Sequence, residues 1–305
     1  MYGVIDIGSN TIRLMVYKIE DGKIVPLLNK KSVAGLAGYV GKTGRLKKIG
    51  IQKAVSVLLE FREILDHLPV EEVFPFATAS LRNIVNTEEV LSEILKESGF
   101  SVRVLSGNEE AVFDYYGAIH SIALDDGLLV DIGGGSTELV FYKDREVVFT
   151  VSLPIGSLNL YNRFVGGILP TEKETSLIAG VTLRQLQTVR LPEYPLEFTV
   201  ICGVGGTART IRKLLEMQKV LSRGEEAYSC TELETLIHSL RRDPQGIAKE
   251  VLKTEPERIH TLFPGAIILN SVATHYGSRQ VVTSKYGVRE GYLYYLLEER
   301  GLLGG

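Results

Sequence analysis

Two stretches of the sequence decide the fold, and each echoes the other: Val4-Ile5-Asp6-Ile7-Gly8-Ser9-Asn10-Thr11 and Val130-Asp131-Ile132-Gly133-Gly134-Gly135-Ser136-Thr137. At a constant offset of 125 residues the matched pairs are Asp6 with Asp131, Gly8 with Gly133, and Thr11 with Ser136. Each copy predicts an apolar strand, a tight glycine turn and a second, alternating strand, followed by a polar turn and a third strand. Two copies of one β-meander therefore predict two lobes built on one plan.

Helices and strands alternate in the rest of the chain. Residues 48–66 place apolar side chains on one stripe, which predicts a helix with a buried face. A buried strand is predicted at residues 73–77, and Thr87 is the predicted N-cap of a helix that Gly99 ends. This alternation predicts an α/β architecture. The echo places the boundary between the lobes near residue 121, so we predict domains at residues 1–121 and 122–305.

The composition limits the classes of function. The chain has 305 residues and a net charge of −3, from 34 basic and 37 acidic side chains. This balance argues against broad nucleic-acid or membrane binding, and no apolar run approaches the roughly 18 residues of a membrane span. No secretory leader is visible, and the two cysteines, Cys202 and Cys230, form neither a disulfide framework nor a metal-spaced cluster. We therefore expect a cytoplasmic protein in which any polyanionic ligand binds at a local site.

The paired glycine turns are candidate phosphate-binding loops. A strand that ends in Asp, followed by glycines and a hydroxyl, exposes backbone N–H groups in a concave array that suits phosphate oxygens. Asp6 and Asp131 stand where they could hold hydrated Mg²⁺, which prefers one or two carboxylates plus phosphate oxygens. A single glycine turn is more often a plain hairpin closure, whereas the matched pair favours phosphate binding. The candidate residues are Gly8, Ser9, Asn10, Gly133, Gly134, Gly135 and Ser136.

Further positions are candidates for the chemistry, and each has an ordinary structural alternative. The turn Gly205-Gly206-Thr207 leads into a helix whose N-terminus attracts anions, or it is a plain βα turn. Glu109 or Glu110 could activate water as a general base, or both could serve only the helix dipole. Glu138 is a metal-ligand candidate or a solvent-facing strand residue. Arg82 could bind phosphate through its planar fork, or form a surface salt bridge. The residues alone leave these alternatives open.

Taken in order, the motifs resemble those of the exopolyphosphatase and guanosine pentaphosphate phosphohydrolase family. This family lies within the acetate kinase, sugar kinase, heat-shock protein and actin superfamily. The resemblance covers nearly the whole chain and rests on six segments, at residues 6–10, 77–82, 106–111, 131–138, 203–207 and 287–291. Each motif is weak alone, but the ordered set is highly specific.

The resemblance implies a fold and a set of roles. It implies two ribonuclease-H-like lobes with an active site between them, and a C-terminal helix that packs back on the first lobe. The family's Ser-Gly-Asn-Glu-Glu motif makes Glu110 the implied catalytic base. Its metal-associated carboxylates match Asp131 and Glu138, with Asp6 as a further candidate, and Arg82 matches an arginine that contacts phosphate. Mg²⁺ is the implied ion, and members of the family often form homodimers.

The resemblance also implies an activity. The family's substrates are inorganic polyphosphate and guanosine pentaphosphate, so we predict Mg²⁺-dependent hydrolysis of a terminal phosphoanhydride. The sequence does not rank these two substrates. Two alternatives stand beside this prediction: a small-molecule kinase of the same superfamily, and a non-catalytic sensor of polyphosphate or an alarmone. The chain departs from many members in lacking a C-terminal helical extension, and an arginine within residues 31–36.

Overall fold

The computed structural model describes residues 1–123, 125–191 and 198–303, and it contains two β-sheets flanked by helices. The remaining positions, all in the predicted second domain, lie outside the described residues. The first part of the chain forms β1 (Tyr2–Ile7), β2 (Thr11–Glu20), β3 (Lys23–Val33), α1 (Lys48–Asp66), β4 (Glu72–Ala77), α2 (Ala79–Arg82), α3 (Thr87–Ser98), β5 (Arg103–Val104) and α4 (Gly107–Ile119).

The second part of the chain begins its own sheet at Gly127. It forms β6 (Gly127–Ile132), β7 (Thr137–Lys143), β8 (Glu146–Leu153), α5 (Ser157–Phe164), α6 (Glu172–Leu186), β9 (Val200–Val204), α7 (Gly205–Met217), β10 (Ala227–Ser229), α8 (Cys230–Arg242), α9 (Pro244–Thr254), α10 (Leu262–Tyr276), β11 (Gln280–Thr283) and α11 (Val288–Glu299). Short 3-10 turns lie at Leu36–Tyr39 and Pro256–Arg258. Across the described residues, no helix is long and apolar enough to cross a membrane.

The two sheets share one strand order. The first is ordered β3-β2-β1-β4-β5, and the second is ordered β8-β7-β6-β9-β11-β10. In each sheet the meander is antiparallel, and its first strand pairs in parallel with the next strand of the sheet, β4 or β9. Parallel pairing requires a crossover connection, and helices supply it. The predicted α/β fold with two related lobes is therefore confirmed.

The repeat in the sequence is also a repeat in backbone geometry. The β1–β2 hairpin closes with Gly8 N–H donating to the Thr11 carbonyl at 3.0 Å, and β6–β7 closes with Gly133 N–H donating to the Ser136 carbonyl at 3.0 Å. The next hairpin of each meander carries a register shift, between residues 16 and 17 in β2 and between residues 141 and 142 in β7. The offset of 125 residues thus holds both for the hairpin turns and for the register shifts in β2 and β7.

The helix predictions hold, with one correction at a helix start. Helix α1 spans residues 48–66 as predicted, and Gly99 ends α3 in a left-handed conformation with φ of 71°. However, Thr87 is the first residue of α3 and not its N-cap. Its hydroxyl donates backwards to the carbonyls of Leu81 at 2.7 Å and Ile84 at 3.1 Å. A hydroxyl held in this way does not cap the helix, so the prediction for Thr87 was wrong.

The C-terminal helix α11 packs against α4. Two glycines bring the helices close: an ideal Cβ on Gly117 would lie 2.3 Å from the Gly287 carbonyl oxygen, and one on Gly291 would lie 1.8 Å from the Phe113 carbonyl oxygen. Tyr292 also contacts the rings of Phe113 and of Phe76 on β4. Helix α11 is thereby attached to elements of the first sheet, while the domain limits at residues 121 and 122 stay a prediction.

Candidate active site

The two glycine turns meet at a cleft between the sheets. An ideal Cβ on Gly134 would lie 3.2 Å from the Ser9 Cβ, and one on Gly135 would lie 3.0 Å from the Ser9 hydroxyl oxygen. Side chains at positions 134 and 135 would therefore press on the first turn, so glycines favour this close approach. The cleft has a volume of about 150 Å³, and the backbones of both turns line it.

Glu110 enters the cleft from the first turn of α4. The sequence fixes this position through a capping box: Ser106 accepts from the Glu109 N–H at 3.2 Å, and Glu109 accepts from the Ser106 N–H at 2.8 Å. Glu109 also pairs with Arg103 at 2.6 Å on the exposed side. Capping thus accounts for Glu109, and Glu110 is left as the acid that faces the cleft.

Arg82 holds the Glu110 carboxylate in place. Its Nη1 donates to Glu110 Oε2 at 2.8 Å and to the Leu105 carbonyl at 2.9 Å, and its Nη2 donates to the Ser136 hydroxyl at 3.3 Å. Burial, followed by repulsion from Glu138, raises the pKa of Glu110 well above its usual value, although Arg82 opposes the shift. A raised pKa makes the Glu110 carboxylate a stronger base than an exposed glutamate, which favours proton abstraction.

Asp131 and Glu138 form a pair of carboxylates across adjacent strands. They lie directly opposite each other in the β6–β7 register, and Glu138 is 0 % exposed. The Ser152 hydroxyl donates to Glu138 Oε1 at 2.7 Å, while Glu138 Oε2 is buried with no hydrogen-bond partner in the described part of the chain. Burial, and then repulsion from Asp131, raises the pKa of Glu138 to about 7. Arg82 Nη2 lies 3.6 Å from Glu138 Oε1 and partly offsets this charge. Opposed like charges still destabilise a sheet, so the pair favours a further cation or a proton.

The pair fits the predicted Mg²⁺. Within the described residues no three His, Cys, Asp or Glu side chains converge as a metal cluster. Mg²⁺ does not require one, since it keeps several waters and takes one or two carboxylates together with substrate phosphates. The unpartnered oxygen of Glu138 and the raised pKa values of both carboxyls are what a site short of positive charge would show.

A further carboxyl, Asp114, was missed from the sequence. It lies on α4 one turn after Glu110, is 0 % exposed, and neither of its oxygens has a hydrogen-bond partner within the described residues. Burial, then repulsion from Asp131, raises the pKa of Asp114 well above its usual value. The spacing of four residues from Glu110 puts both on one helix face, a signal that could have identified Asp114.

Asp6 is held differently from Asp131. Arg289 Nη1 donates to Asp6 Oδ2 at 3.0 Å, and Asp6 is paired across the β1–β2 register with Arg13. Burial raises the pKa of Asp6, while the attraction of Arg289 and Arg13 opposes the shift. Although Asp6 lines the cleft, its negative charge is already matched by a guanidinium. Its predicted role as a metal ligand stays a prediction.

The third glycine turn makes room for other site residues. Gly205 has φ of 77°, and an ideal Cβ on it would lie 2.2 Å from Asp131 Oδ1. An ideal Cβ on Gly206 would lie 1.5 Å from Arg258 Nη2, so the glycine lets this guanidinium lie on the start of α7. Thr207 is buried, and its hydroxyl donates to the Ile132 carbonyl at 3.3 Å. Gly205 and Gly206 therefore line the cleft, whereas Thr207 supports it from behind.

The cleft also carries a wall of cations that sequence reasoning did not assemble. These side chains come from separate elements and are Arg13, Lys31, Arg209, Arg258 and Arg289. Neither Arg13 nor Arg258 has an ion pair or a side-chain hydrogen bond to another described residue. Burial lowers the pKa of Arg209 and of Arg258, although both guanidinium groups stay protonated at neutral pH. The wall gives the cleft a strong local preference for anions.

The predicted residues thus divide into two groups. Those that line the cleft are Asp6, Gly8, Ser9, Asn10, Glu110, Asp131, Gly133, Gly134, Gly135, Ser136, Gly205 and Gly206. Those that lie behind its wall are Arg82, Glu138 and Thr207. Arg82 contacts Glu110, and Glu138 lies opposite Asp131. These contacts connect Arg82 and Glu138 to the residues that line the cleft.

Comparison with known proteins places the chain in a family. The sequence pattern of the Ppx/GppA phosphatase family matches residues 15–300. The chain is 27% identical over 294 residues to a bifunctional 3-dehydroquinate synthase/phosphatase of Fusobacterium nucleatum, and this similarity covers 92% of the chain. The matched region is 44% of the Fusobacterium protein, so the chain spans less than half of that relative.

Solved structures give the same result over the whole chain. The crystal structure of the Aquifex aeolicus member of the Ppx/GppA family is 28% identical, with a TM-score of 0.79 and coverage of 98% of both chains. The crystal structure of an exopolyphosphatase from Cytophaga hutchinsonii is 25% identical, with a TM-score of 0.83 and the same coverage. Both similarities extend over nearly the whole chain.

Proposed function

The chain belongs to the Ppx/GppA phosphatase family, and from that premise we propose that it is a Mg²⁺-dependent exopolyphosphatase. It removes the terminal phosphate of inorganic polyphosphate and releases orthophosphate. One observation carries the proposal: the buried carboxylate of Glu110, with its raised pKa, faces two glycine turns across a cleft lined by cations. A base, an anion cradle and compensating positive charge are the three parts that phosphoanhydride hydrolysis requires.

The reaction is a direct attack of water on the terminal phosphorus. Glu110 accepts a proton from the water, whose oxygen forms the new P–O bond while the bond to the bridging oxygen breaks. Arg82 keeps the Glu110 carboxylate aligned through its 2.8 Å hydrogen bond. The N–H groups of the two glycine turns, together with Arg13 and Arg258, bind the phosphate oxygens. Mg²⁺, when held by Asp131 and Glu138, supplies the positive charge that neutralises the phosphates.

The lining of the cleft favours an inorganic chain over a nucleotide. Its described lining residues include no aromatic side chain, and its apolar members are small aliphatic residues such as Ile132, Val204 and Val288. A purine base usually binds on an aromatic or extended apolar surface, whereas phosphates need only N–H groups and cations. We therefore propose polyphosphate as the principal substrate and guanosine pentaphosphate as a weaker one.

The decisive test is phosphate release from long-chain polyphosphate in Mg²⁺, comparing the wild type with Glu110→Gln. We expect the substitution to lower kcat at least about 10²-fold, because the general base is lost. Glu109→Gln is the matched control, since glutamine also completes a capping box and Glu109 faces solvent. Release that persists in Glu110→Gln would overturn the mechanism. Phosphate transfer from ATP to a small acceptor, without release from polyphosphate, would favour the kinase alternative.

A further inference from the structure

A groove between α1 and α3 lies apart from the cleft. It has a volume of about 810 Å³, and its described lining residues all belong to these two helices. None of the described residues lines both the groove and the cleft. Other faces of the two helices pack in the core beside the first sheet, through Ala54 and Phe61 on α1 and through Val90 and Ile94 on α3. The groove is therefore a separate surface that the core does not fill.

The floor of the groove is apolar. Ile51, Val55 and Leu59 follow one another at intervals of four residues, which puts them on one stripe of α1. Ile51 is buried and Val55 is half-buried, whereas Leu59 is 42 % exposed. The stripe thus leaves the core and reaches the surface within about two helical turns. Contact between water and such a side chain is unfavourable, so a partner that covers Leu59 gains binding free energy.

The rim of the groove is acidic. Carboxylates repeat every four residues along α3, and two more stand on α1; the set is Glu89, Glu93, Glu97, Glu60 and Glu63. Lys48 is the one cation among the described lining residues. Carboxylates four residues apart on a helix repel one another, and the helix dipole also disfavours Glu97 in the last turn of α3. Helix stability therefore does not account for this acidic stripe.

The rim is only partly neutralised within the chain. Glu89 pairs with Arg45, and Glu97 pairs with Lys96 at 3.1 Å. The other three rim carboxylates form no ion pair with a described residue. Exposed ion pairs contribute little to stability, so even the two existing pairs can exchange for the cations of a partner. The groove is therefore short of positive charge, although the net charge of the whole chain is only −3.

The shape and the charge of the groove together select its occupant. Side chains at intervals of three and four residues form ridges, and such ridges pack into the groove between two other helices. A helix along this groove would turn apolar side chains towards Leu59 and lysines or arginines towards Glu93. Anchors at these intervals are the usual way in which an amphipathic helix binds a groove. An acidic rim repels nucleic acids and anionic membranes, so charge complementarity favours a cationic protein segment.

We propose that this groove docks a cationic amphipathic helix of a partner protein. The apolar side chains of that helix cover Val55 and Leu59, and its cations pair with the rim carboxylates that lack an ion pair in the described chain. Because no described residue lines both the groove and the cleft, the helix binds away from the active-site residues. The interaction is independent of the proposed function and of the reaction that the cleft performs.

The test measures binding of synthetic helical peptides by fluorescence anisotropy at low salt. Each peptide is about 15 residues long and carries leucines on one face and lysines on its flank, and the panel varies the register between the two. A scrambled peptide of the same composition is the first control. We expect Leu59→Ser to weaken binding about tenfold and Glu93→Gln to weaken it about two- to fivefold. The effect of Glu93→Gln should fade at high salt.

The chain offers a matched control for each substitution. Leu95→Ser changes a leucine of α3 that is 51 % exposed and lies outside the groove. Glu88→Gln changes an exposed carboxylate in the first turn of α3, which also lies outside the groove. Both control variants should bind the peptides as tightly as the wild type does. None of the four side chains is buried, so all four variants should fold, and an unchanged Tm verifies this.

Three results would overturn the proposal. Equal binding of the designed and scrambled peptides, or equal losses in the groove variants and their controls, would mean unspecific attraction between charges. The absence of binding at low salt across the panel would mean that the groove does not accept a helix. Self-association of the wild type that Leu59→Ser abolishes would make the groove an interface between copies of this chain and not a site for a different protein.

Discussion

The two repeated hairpins have the same backbone and opposite chemistry. In β1–β2 the residue opposite Asp6 is Arg13, whereas in β6–β7 the residue opposite Asp131 is Glu138. The offset of 125 residues places Arg13 and Glu138 at equivalent positions. The first hairpin therefore presents a balanced pair and offers a guanidinium to an anion. The second presents two carboxylates, and only Glu138 has a guanidinium, that of Arg82, within ion-pair distance among the described residues. One duplicated unit thus supplies both signs of charge that a metal–phosphate complex needs.

The helices that follow the hairpins differ in a similar way. Helices α4 and α11 begin alike, since Glu109 accepts from the Ser106 N–H at 2.8 Å and Glu290 accepts from the Gly287 N–H at 3.1 Å. The next residue is Glu110 on α4 but Gly291 on α11, where close packing on the Phe113 carbonyl leaves no room for a side chain. At this position α11 therefore carries close contact between the helices instead of a carboxyl group, and the proposed base, Glu110, lies on α4.

The largest expected effect in this comparison comes from removing the charge of the second hairpin. Glu138→Gln keeps the shape and the hydrogen bond from Ser152, but it removes one of the two opposed carboxylates. We expect kcat to fall about 10²-fold or more at fixed Mg²⁺, because charge stabilisation of the phosphates is lost. Titration calorimetry should show weaker binding of Mg²⁺. Glu146→Gln, an exposed change in the same sheet, is the control, and an equal loss of activity there would contradict the assignment.

Removing the charge of the first hairpin should have a smaller and different effect. Arg13→Gln deletes a cleft guanidinium that has no ion-pair partner among the described residues. We expect KM for polyphosphate to rise about tenfold, the loss of one charge-assisted contact, with a smaller change in kcat. Arg13→Lys should restore part of the affinity. A fall in kcat with unchanged KM would instead mean that Arg13 acts mainly in the transition state. That result would contradict the assignment of substrate binding to the first hairpin.

The repeated hairpin was predictable because its information is local. Asp6, the glycine turn and Thr11 lie within six residues, and the same spacing recurs from Asp131 to Ser136. Alternating strands around such a turn leave few choices of register. Glu110 was also predictable as a candidate, since Ser106 and Glu109 define the helix start. The residues alone could not separate base from cap, but the capping box now assigns Glu109 to the cap.

The cation wall was not predictable because its members are distant in sequence. Arg289 reaches Asp6 across 283 residues, and Arg258 enters the cleft from a 3-10 turn with no periodic pattern. Gly206 leaves the space for Arg258, but glycines are common in strand-to-helix turns whether or not a side chain from elsewhere packs on them. Tertiary packing alone brings these charges together. The same holds for the ion pair between Arg289 and Asp6, which no local pattern in the sequence indicates.

Stabilisation by Mg²⁺ should depend on pH at the second hairpin but not at the first. Glu138 has a folded pKa of about 7 against an ordinary value of 4.5, so without a cation stability falls as pH rises between these values. Mg²⁺ competes with the proton and should therefore raise Tm more at pH 8 than at pH 6, by about 2–4 °C more. We expect Arg13→Gln to keep this difference and Glu138→Gln to reduce it, by differential scanning fluorimetry. An equal Mg²⁺ shift at both pH values in the wild type would contradict the carboxylate pair as the site.

The smallest expected effect concerns Asp114, the buried carboxyl behind the second hairpin. Counting from the helix starts, its counterpart on α11 is the neutral Tyr295. Burial and repulsion from Asp131 raise the pKa of Asp114 well above its ordinary value of 3.8, so the folded state binds the proton more tightly than the unfolded state. The wild type therefore loses stability as pH rises above about 4, and a neutral amide of the same shape escapes this loss.

Asp114→Asn should accordingly raise Tm by about 2 °C at pH 8 without Mg²⁺ and leave it unchanged near pH 4. Asp114→Ala is the paired control, because it removes the same charge but leaves a cavity and should lower Tm at both pH values. If Asp114→Asn instead lowered Tm at pH 8 and weakened Mg²⁺ binding, Asp114 would be a charged third member of the cation site. The second hairpin would then be surrounded by more negative charge than its own two strands supply, and its contrast with the first hairpin would be larger still.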